Sequence, residues 1–461
     1  MFRVFGLRHA ALVVVEHALI VLAVLVAAVV RLGVPETPME IFSEWAARAV
    51  FVAAVLQVSL HYCDLYDLRT LATPQDLLTG LLRAVGAASL ILAVVYYWVP
   101  SLVIGRGVFA LSTAFIIMLV AGWRIAFEWL GSVGRPSERL LIVGTAGAAI
   151  DLAKELFERR TELGVELVGF VDPDGRPGEH LAGTAGVVGT VSDIPDIVKK
   201  RRVDRVVVSL ANARGKLDMN ALLAMKLNDG VRFDHLASVY EEYTGKIAVE
   251  NLRPSWMIFG EGFEKSPTMA ALKRSSDVVL SLIALVVLLP IMAIVAVLQR
   301  LTSDGPILYS QRRVGKDGAL FTIHKFRSMR VDAEAVSGAV WSAQNDPRVT
   351  PFGRFLRRTR LDELPQLWNV LRGDMSLVGP RPERPEFVAQ LTTQIPFYGQ
   401  RHVVRPGLTG WAQVRHRYGA SVEDAQEKLQ YDLFYIKHVS LPFDFYVVLE
   451  TVKTVLVRRG S

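Results

Sequence analysis

The sequence predicts a membrane protein of the α plus α/β class: a four-helix transmembrane region, a Rossmann-like α/β domain, a re-entrant helical hairpin and a mainly helical, monotopic C-terminal domain. Three observations support this fold class. The 461 residues are 51% hydrophobic and 21% charged, a balance shifted towards that of membrane proteins. Long apolar runs are concentrated in the first 130 residues. Beyond them, short apolar strands alternate with helical stretches, which is typical of a parallel sheet.

Four apolar stretches in residues 1–130 predict transmembrane helices. They cover residues 10–30, 46–62, 79–99 and 108–123. Each has about 16–21 residues, close to the roughly 20 that a helix needs to cross a bilayer. Glu16 and His17 lie inside the first stretch, where contact with lipid is costly. We expect both to make hydrogen bonds between helices rather than to serve in transport.

Basic residues flank both ends of this region. Arg3 and Arg8 precede it and Arg124, Arg135 and Arg139 follow its last apolar stretch, whereas the first loop between helices carries three glutamates. The positive-inside rule therefore places both ends of the region in the cytoplasm. We expect a multi-pass protein of the inner (cytoplasmic) membrane whose remaining domains lie on the cytoplasmic face.

A fifth apolar run, residues 278–298, contains Pro290. Lys273 and Arg274 stand before this run and Arg300 follows it, so a simple span would leave one basic cluster outside the cell. Proline removes a backbone donor and kinks a helix. The pattern therefore predicts a re-entrant hairpin that bends at Pro290 and returns to the cytoplasmic face, with a fifth true span as the alternative.

The middle region, residues 131–265, is predicted to be the Rossmann-like domain. Strands are expected at 139–143, 167–171 and 205–210, with helices at 148–160 and 194–202. Gly144 and Gly147 follow the first strand but match only part of a dinucleotide-binding fingerprint. A tight strand–helix turn without a ligand is an equal alternative. The chain also contains no Tyr-x-x-x-Lys pair, which argues against short-chain-dehydrogenase chemistry on a sugar nucleotide.

The third region, residues 266–461, contains an adjacent carboxylate pair just before a predicted helix. Pro365 suits the first turn of that helix, so Asp362 and Glu363 stand at a helix start, where negative charge is favoured and an aspartate is expected to stay ionised. Adjacent residues point in different directions, and a carboxylate can attack phosphorus as a covalent nucleophile. Simple capping of the helix is the alternative role of such an aspartate.

Arginines surround this carboxylate pair in the sequence. Arg357, Arg358 and Arg360 precede it, and Arg381 follows it between two prolines. Guanidinium groups bind phosphate oxygens bidentately, as a diphosphate substrate requires. A basic patch facing anionic lipid headgroups is the alternative, and both can hold because a lipid phosphate is itself such a headgroup. The net charge of +7 fits these ligands, and nucleic acid is not an expected partner.

Six motifs are distributed through the region 270–461. They are Lys273-Arg-x-x-Asp277, Tyr309-Ser-Gln-Arg-Arg-Val-Gly315, Lys325-Phe-Arg-Ser-Met329, Leu361-Asp-Glu-Leu-Pro-Gln-Leu-Trp-Asn369, Met375-Ser-Leu-Val-Gly-Pro-Arg-Pro-Glu383 and Arg405-Pro-Gly-Leu-Thr-Gly-Trp-Ala-Gln413. With these motifs the region resembles the catalytic domain of the bacterial sugar transferases, that is, the polyprenyl-phosphate glycosyl-1-phosphate transferases. The preceding regions make the chain similar to the large members, especially those that initiate exopolysaccharide synthesis in exosortase-associated gene clusters.

This resemblance implies transfer of a sugar-1-phosphate from a UDP-sugar to undecaprenyl (polyprenyl) phosphate, with release of UMP and a requirement for Mg²⁺. Asp362 matches the family's nucleophile, which forms a covalent phosphosugar intermediate. Glu363 matches its partner, which binds the metal or activates the lipid phosphate, so both carboxylates are candidate metal ligands. The resemblance also implies contact with membrane lipid and suggests a homodimer.

Six further residues are assigned to substrate binding by the same resemblance. Arg357 and Arg381 match positions that contact the substrate phosphate or the nucleotide, and the others match by motif position: Lys325, Arg327, Gln413 and Asp444. The hairpin departs from the family pattern, since Leu289-Pro290 stands where some smaller members have Ser-Pro. Two other functions stay open: an NAD-dependent enzyme that modifies sugar nucleotides, and a non-catalytic scaffold for polysaccharide assembly.

Overall fold

The computed structural model describes residues 7–456 apart from 34–37, 64, 67–73, 134–137, 146, 173–179, 182–184, 210–217, 250–251, 253–256, 258–261, 265, 332, 334–345, 417–418 and 420. The chain divides into two compact units, Met1–Leu236 and Ala237–Ser461. The second unit thus starts before residue 266, where the sequence placed the domain boundary. Of the residues named in the sequence predictions, Arg3 and Arg135 lie outside the described residues.

Four long apolar helices open the first unit, at the positions of the four predicted stretches. They are α1 (Leu7–Leu32), α2 (Pro38–Tyr62), α3 (Pro74–Trp98) and α4 (Arg106–Val133). Both α1 and α3 pack against α2 and α4. Their shared core is built largely from alanine, valine and leucine, and small side chains let apolar helices approach closely. By length and composition, all four could cross a membrane.

The two polar residues of the first apolar stretch do bond to neighbouring helices. Glu16 is fully buried and accepts hydrogen bonds from the Arg124 guanidinium at 2.6 and 3.0 Å, which joins α1 to α4. The His17 Nδ1 atom lies 2.8 Å from the Gln57 side-chain oxygen on α2. The expectation of interhelical hydrogen bonds is confirmed. Pairing keeps these groups from facing an apolar medium alone.

A six-stranded sheet follows, in the order β3-β4-β2-β1-β5-β6. The strands are β1 (Glu138–Val143), β2 (Val165–Val171), β3 (His180–Leu181), β4 (Ala185–Gly189), β5 (Arg205–Val208) and β6 (Arg232–His235). Only the β3–β4 pairing is antiparallel. The intervening helices are α5 (Gly147–Glu158), α6 (Arg160–Leu163), α7 (Ile194–Arg201) and α8 (Met219–Asn228). The predicted parallel sheet is confirmed, and its three predicted strands are β1, β2 and β5.

The order of the parallel strands reverses at β1, between β2 and β5. Gly144, directly after β1, has a φ of 106°, a left-handed conformation that favours glycine. The Thr145 hydroxyl donates a hydrogen bond to Asp172 at the end of β2. This pairing joins the turn after β1 to the end of β2, and both alternatives for the turn, with and without a ligand, stay predictions.

The second unit is mainly helical. Its elements are α9 (Leu236–Thr244, from its second residue), α10 (Pro267–Thr302), β7 (Leu308–Val314), β8 (Leu320–Phe326), α11 (Pro351–Thr359), α12 (Gln366–Arg372), β9 (Ser376–Val378), α13 (Pro385–Gln394), β10 (Gly407–Thr409), α14 (Trp411–Arg415), α15 (Val422–Lys437) and α16 (Leu441–Leu456). β7 and β8 form an antiparallel ribbon, and β9 and β10 form a short parallel pair.

The segment after the sheet bonds to the helices of the second unit, which explains why that unit starts before residue 266. Glu241 on α9 accepts hydrogen bonds from Lys437 and His438 at 2.8 and 2.6 Å. The Trp411 indole donates to the Gly245 carbonyl at 2.9 Å, and Lys246 pairs with Glu427 at 2.6 Å. Residues that the sequence assigned to the end of the Rossmann-like domain thus bond to α14 and α15.

The fifth apolar run lies in one helix, where the sequence predicted a hairpin. α10 has 36 residues and continues through Pro290 without a residue of non-helical conformation. A proline inside a helix removes one hydrogen bond and bends the axis, but it does not have to end the helix when strongly apolar sequence follows. Only Asp277, Ser281, Val295 and Gln299 are buried on α10, so its other side chains leave an apolar surface. The re-entrant path of this helix stays a prediction.

Candidate active site

The carboxylate pair lies in a tight turn between two helices. α11 ends at Thr359, and Arg360 adopts a left-handed conformation with a φ of 56° that turns the chain sharply. A 3₁₀ turn, Leu361–Glu363, then leads into α12, with Pro365 at the N-cap and not in the first turn. Asp362 and Glu363 are both 7% exposed. The predicted helix start after the pair is confirmed, and both carboxylates are buried beside it.

Glu363 is held by cations from three separate segments. Its Oε1 atom accepts hydrogen bonds from Arg381 at 2.6 Å and Lys325 at 3.2 Å, and its Oε2 atom lies 3.8 Å from Arg360. Burial by itself raises the pKa of Glu363, but Arg381, Lys325 and Arg360 together hold it well below its ordinary value. The low pKa favours the ionised form of Glu363, and the carboxylate keeps Arg381 and Lys325 in place.

Asp362 has the opposite character. Its Oδ1 atom is buried and has no hydrogen-bond partner among the described residues. Burial, and next the negative charge of Glu363, raise the pKa of Asp362 above its ordinary value, while Lys325, Arg357 and Arg360 pull it down in part. The sequence predicted that the helix start would keep this aspartate ionised. Desolvation and a like charge outweigh the short helix α12, so the pKa of Asp362 moves opposite to the direction that a helix start alone would give.

A buried aspartate oxygen that accepts no hydrogen bond from the described residues can act as a nucleophile. A carboxylate oxygen that accepts no hydrogen bond keeps its lone pairs available for an electrophile. Neighbouring cations can hold an anionic electrophile beside it. Arg357 is one of these cations, and its Nε atom donates to the Ser328 hydroxyl at 2.9 Å, which fixes the side chain. The two carboxylates thus differ: Glu363 is bound by cations, whereas the Asp362 Oδ1 atom has no hydrogen-bond partner among the described residues.

Lys325 is positioned by a buried asparagine that the sequence did not single out. Burial lowers the pKa of Lys325, and the charge of Glu363 opposes that shift. Asn369 on α12 is fully buried; it donates to the Thr322 carbonyl at 2.7 Å and accepts from the His324 N–H at 3.3 Å. It therefore clamps the backbone of β8 immediately before Lys325. Only the end of the Leu361–Asn369 motif signalled this residue.

Arg381 is carried by a loop whose backbone is packed against another backbone. β9 and β10 pair in parallel, and a Cβ atom added to Gly379 would meet the Arg405 carbonyl and the Gly407 N–H, while one added to Gly407 would meet the Gly379 N–H. Only glycine permits this approach. The glycines of both motifs thus bring the Arg381 loop against β10, within reach of Glu363.

Four predicted residues lie elsewhere. Arg327 donates to the Asp304 and Ser303 carbonyls at 2.6 and 3.3 Å, and so caps the end of α10. Asp444 pairs with Lys273 at 2.5 Å and accepts from the Tyr435 hydroxyl at 2.7 Å. The Gln413 side-chain oxygen is buried without a partner, and Pro290 lies within α10. Among the described residues, no hydrogen bond or ion pair joins these four to Asp362 or Glu363.

The carboxylates offer an incomplete set of metal ligands. Among the described residues no group of three or more His, Cys, Asp or Glu side chains could hold a metal ion. Mg²⁺ usually binds one or two carboxylates together with substrate phosphates. The unpartnered Asp362 Oδ1 fits such an ion, whereas the Glu363 Oε1 atom is already occupied by two cations. The site therefore fits an ion that the substrate's phosphates help to bind.

Two family models match separate parts of the chain. A family model described as bacterial sugar transferase matches residues 268–458, and one described as CoA-binding domain matches residues 61–233. A UDP-glucose:undecaprenyl-phosphate glucose-1-phosphate transferase of Escherichia coli (strain K12) is 33% identical over 363 residues, which are 77% of this chain and 75% of that protein.

Two further relatives match shorter parts of the chain. The UDP-N-acetylgalactosamine-undecaprenyl-phosphate N-acetylgalactosaminephosphotransferase of Aeromonas hydrophila is 43% identical over 227 residues, 49% of this chain and 53% of that protein. The chain thus matches about half of the length of that relative. The exopolysaccharide production protein PSS of Rhizobium leguminosarum bv. phaseoli is 44% identical over 192 residues, 41% of this chain and 96% of that protein.

Proposed function

The chain belongs to the bacterial sugar transferase family, and we propose that it transfers a sugar-1-phosphate from a UDP-sugar to undecaprenyl (polyprenyl) phosphate, with release of UMP, as the initiating step of exopolysaccharide or related glycoconjugate synthesis. Its relatives are named as undecaprenyl-phosphate sugar phosphotransferases, and this chain is an enzyme of that class. The observation that carries the proposal is the unpartnered, buried Oδ1 atom of Asp362 beside a cation-bound Glu363.

The first half of the proposed reaction uses Asp362 as the nucleophile. Its carboxylate oxygen attacks the phosphorus that carries the sugar, and the bond from that phosphorus to the bridging oxygen breaks. UMP leaves with the bridging oxygen and its electron pair. The product is an acyl phosphate in which the sugar phosphate is joined to Asp362, and no proton needs to be transferred in this step.

The second half of the proposed reaction transfers the sugar phosphate from Asp362 to the lipid. A phosphate oxygen of undecaprenyl phosphate attacks the same phosphorus, and the Asp362 carboxylate leaves with the electron pair of its own bond. The sugar is then attached to the lipid through a diphosphate, and Asp362 is regenerated. Because one phosphoanhydride is exchanged for another, the free-energy change of the overall transfer is expected to be small.

The cations around the pair stabilise the negative charge that grows on the phosphoryl group and on the departing UMP. Arg381 and Lys325 are anchored by Glu363, and Arg357 is anchored by Ser328, so all three are fixed before the substrate binds. Preorganised charges of this kind stabilise a transition state without reorganisation. Asp362 and the substrate's diphosphate would hold Mg²⁺, and the ion would neutralise further phosphoryl charge.

The test of this function uses membranes that contain the full-length protein, Mg²⁺, undecaprenyl phosphate and a panel of UDP-sugars, with UMP and UDP assayed separately. We expect lipid-dependent release of UMP with at least one donor. Release of UDP would instead indicate direct glycosyl transfer and contradict the covalent mechanism. Bound nicotinamide absorbance in the purified protein would favour the NAD-dependent alternative.

We further propose that α10 is re-entrant and that the second unit works on the cytoplasmic face. As a straight rod, α10 would be about 54 Å long, against about 30 Å for the hydrocarbon core. Its polar end groups, Lys273 and Arg300, favour the same side of the membrane. A bend at Pro290 satisfies both, and it keeps the site beside the lipid phosphate and the soluble nucleotide sugar.

Cysteine labelling tests this path. In a Cys63→Ser background, Ser275→Cys and Thr302→Cys introduce thiols at exposed positions before and after the apolar run. We expect an impermeant maleimide to label both only in inverted vesicles. Ser101→Cys, in the predicted outer loop between α3 and α4, serves as the control that labels from outside. Outside labelling of position 275 or 302 would show a fifth span and remove the re-entrant path.

A further inference from the structure

The loop Pro380–Glu383, which carries Arg381, has every one of its carbonyl groups fixed. The Gly407 N–H donates to the Pro380 carbonyl at 2.9 Å and the Val314 N–H donates to the Glu383 carbonyl at 3.0 Å. The two middle carbonyls are bound by guanidinium groups instead. Arg401 donates to the Arg381 carbonyl at 3.0 Å, and Arg313 donates to the Pro382 carbonyl at 3.1 Å. The loop is therefore anchored at four consecutive residues.

Arg401 is itself enclosed by the protein and cannot reach a substrate. It is 5% exposed, and its guanidinium also donates to Asp432 at 2.8 and 3.1 Å and to the Tyr398 hydroxyl at 2.7 Å. Asp432 and Tyr398 are each 2% exposed. Every nitrogen of the guanidinium thus bonds inside the protein. Sequence reasoning missed all three residues, because nothing in their spacing distinguishes them from ordinary core and surface positions.

Burying an ion pair is unfavourable unless its geometry and remaining hydrogen bonds are well satisfied, so a core of apolar residues would stabilise the fold at least as well. What an apolar core could not supply is a donor for the Arg381 carbonyl. Prolines on both sides of Arg381 leave the loop few N–H groups with which to hold itself. A planar guanidinium can bond a carboxylate, a hydroxyl and this carbonyl at once.

We propose that Arg401, with Asp432 as its counterion, is a positioning residue for Arg381: it fixes the Arg381 backbone so that the Arg381 side chain meets Glu363 and the substrate phosphates. This inference rests on the proposed function. Arg381 reaches Glu363 across only 2.6 Å, so a small shift of the loop separates them. A misplacement of about 1 Å at a catalytic centre can cost about a hundredfold in rate.

The test is a double-mutant cycle on the full-length protein in membranes. Arg401→Lys keeps the charge opposite Asp432 but cannot bond all three acceptors. We expect it to lower kcat/KM for UMP release about 10- to 100-fold in the wild-type background. In an Arg381→Gln background, we expect less than a threefold further loss, because the side chain being positioned is already absent. Equal losses in both backgrounds would show a general structural role and overturn the proposal.

Two further variants control for misfolding as the cause of lost activity. Tyr398→Phe removes a single hydroxyl, and we expect a smaller loss that is likewise suppressed in the Arg381→Gln background. Lys246→Met breaks the ion pair with Glu427, which lies on the same helix, α15, as Asp432. We expect that control to give equal losses, if any, in both backgrounds.

Hydrogen exchange separates this inference from the proposed function. We expect Arg401→Lys to increase exchange at the Gly379 and Gly407 amides, which bond to Thr409 and Pro380, and Lys246→Met to leave them unchanged. Unchanged exchange in Arg401→Lys would overturn the positioning role even in an active enzyme. Increased exchange in a protein that releases no UMP with any donor would refute the proposed function alone.

Discussion

Replacing Asp362 with asparagine should lower UMP release about ten-thousandfold or more, because an amide oxygen cannot serve as the nucleophile towards phosphorus. The substitution is nearly isosteric. The Asp362 Oδ1 atom makes no hydrogen bond that would be lost, and removing its charge relieves repulsion with Glu363. We therefore expect the variant to fold with undiminished thermal stability.

Two measurements check this prediction. In wild-type protein mixed with a UDP-sugar donor and no lipid acceptor, intact-mass analysis should detect an adduct of one sugar phosphate, which Asp362→Asn should lack. Asp317→Asn is the matched control, since Asp317 is an exposed aspartate in a left-handed turn that asparagine tolerates. An adduct on Asp362→Asn, or its near-normal turnover, would show that another residue is the nucleophile.

Replacing Glu363 with glutamine has the second-largest expected effect, and it acts on both stability and rate. The variant leaves Lys325 and Arg381 without their counterion in a site that solvent barely reaches. Breaking a buried pair costs about 3–5 kcal/mol; because Arg381 is about one-third exposed, we expect about 2–4 kcal/mol of lost stability. The cations also lose their anchor, and we expect kcat for UMP release to fall about 100-fold.

The same variant should move the pH dependence of the first half-reaction. Asp362 must be ionised to attack, and burial together with Glu363 raises its pKa, so UMP release by the wild type should rise with pH above the range where an ordinary aspartate titrates. Removing the negative charge of Glu363 lowers the pKa of Asp362. The acidic limb of the pH–rate profile of Glu363→Gln should therefore lie at lower pH.

The profile is best measured as single-turnover UMP release without lipid acceptor, so that titration of the acceptor phosphate does not enter. Glu386→Gln, which alters an exposed carboxylate beside Arg384, is the control and should keep the wild-type limb. A limb that stays in place in Glu363→Gln, or moves to higher pH, would contradict the assignment of that limb to Asp362.

The comparison of sequence and structure shows which properties local pattern controls. The four apolar stretches predicted α1 to α4, because nearly every buried position of a helix bundle must be apolar. The alternation of strands and helices predicted the parallel sheet, and Pro365 predicted the helix start beside Asp362. In each case the signal lies within a few turns of the residues concerned, where short-range sterics and hydrophobic period dominate.

Other properties depend on residues far apart in the chain. The sequence assigned Arg381 and Glu363 to one site but did not predict the contact between them. Nothing in the sequence indicated that Arg401 bonds to the Arg381 backbone. Arg327 and Asp444 were assigned to the substrate from motif position, and that assignment stays a prediction. The structure adds their bonds to the end of α10 and to Lys273, which motif position alone did not indicate.

By itself, then, the sequence determined the class of the protein, its apolar helices, its parallel sheet and the carboxylate pair at the centre of the candidate active site. Only the tertiary structure decided how those residues divide their roles: which carboxylate is anchored, which is free, and in which direction each pKa moves. The physical reason is that a charge responds to burial and to every other charge within a few ångströms, and these neighbours come from β8, α11 and the Arg381 loop. Local sequence pattern fixes the elements, while the electrostatic field of the site exists only once they have packed.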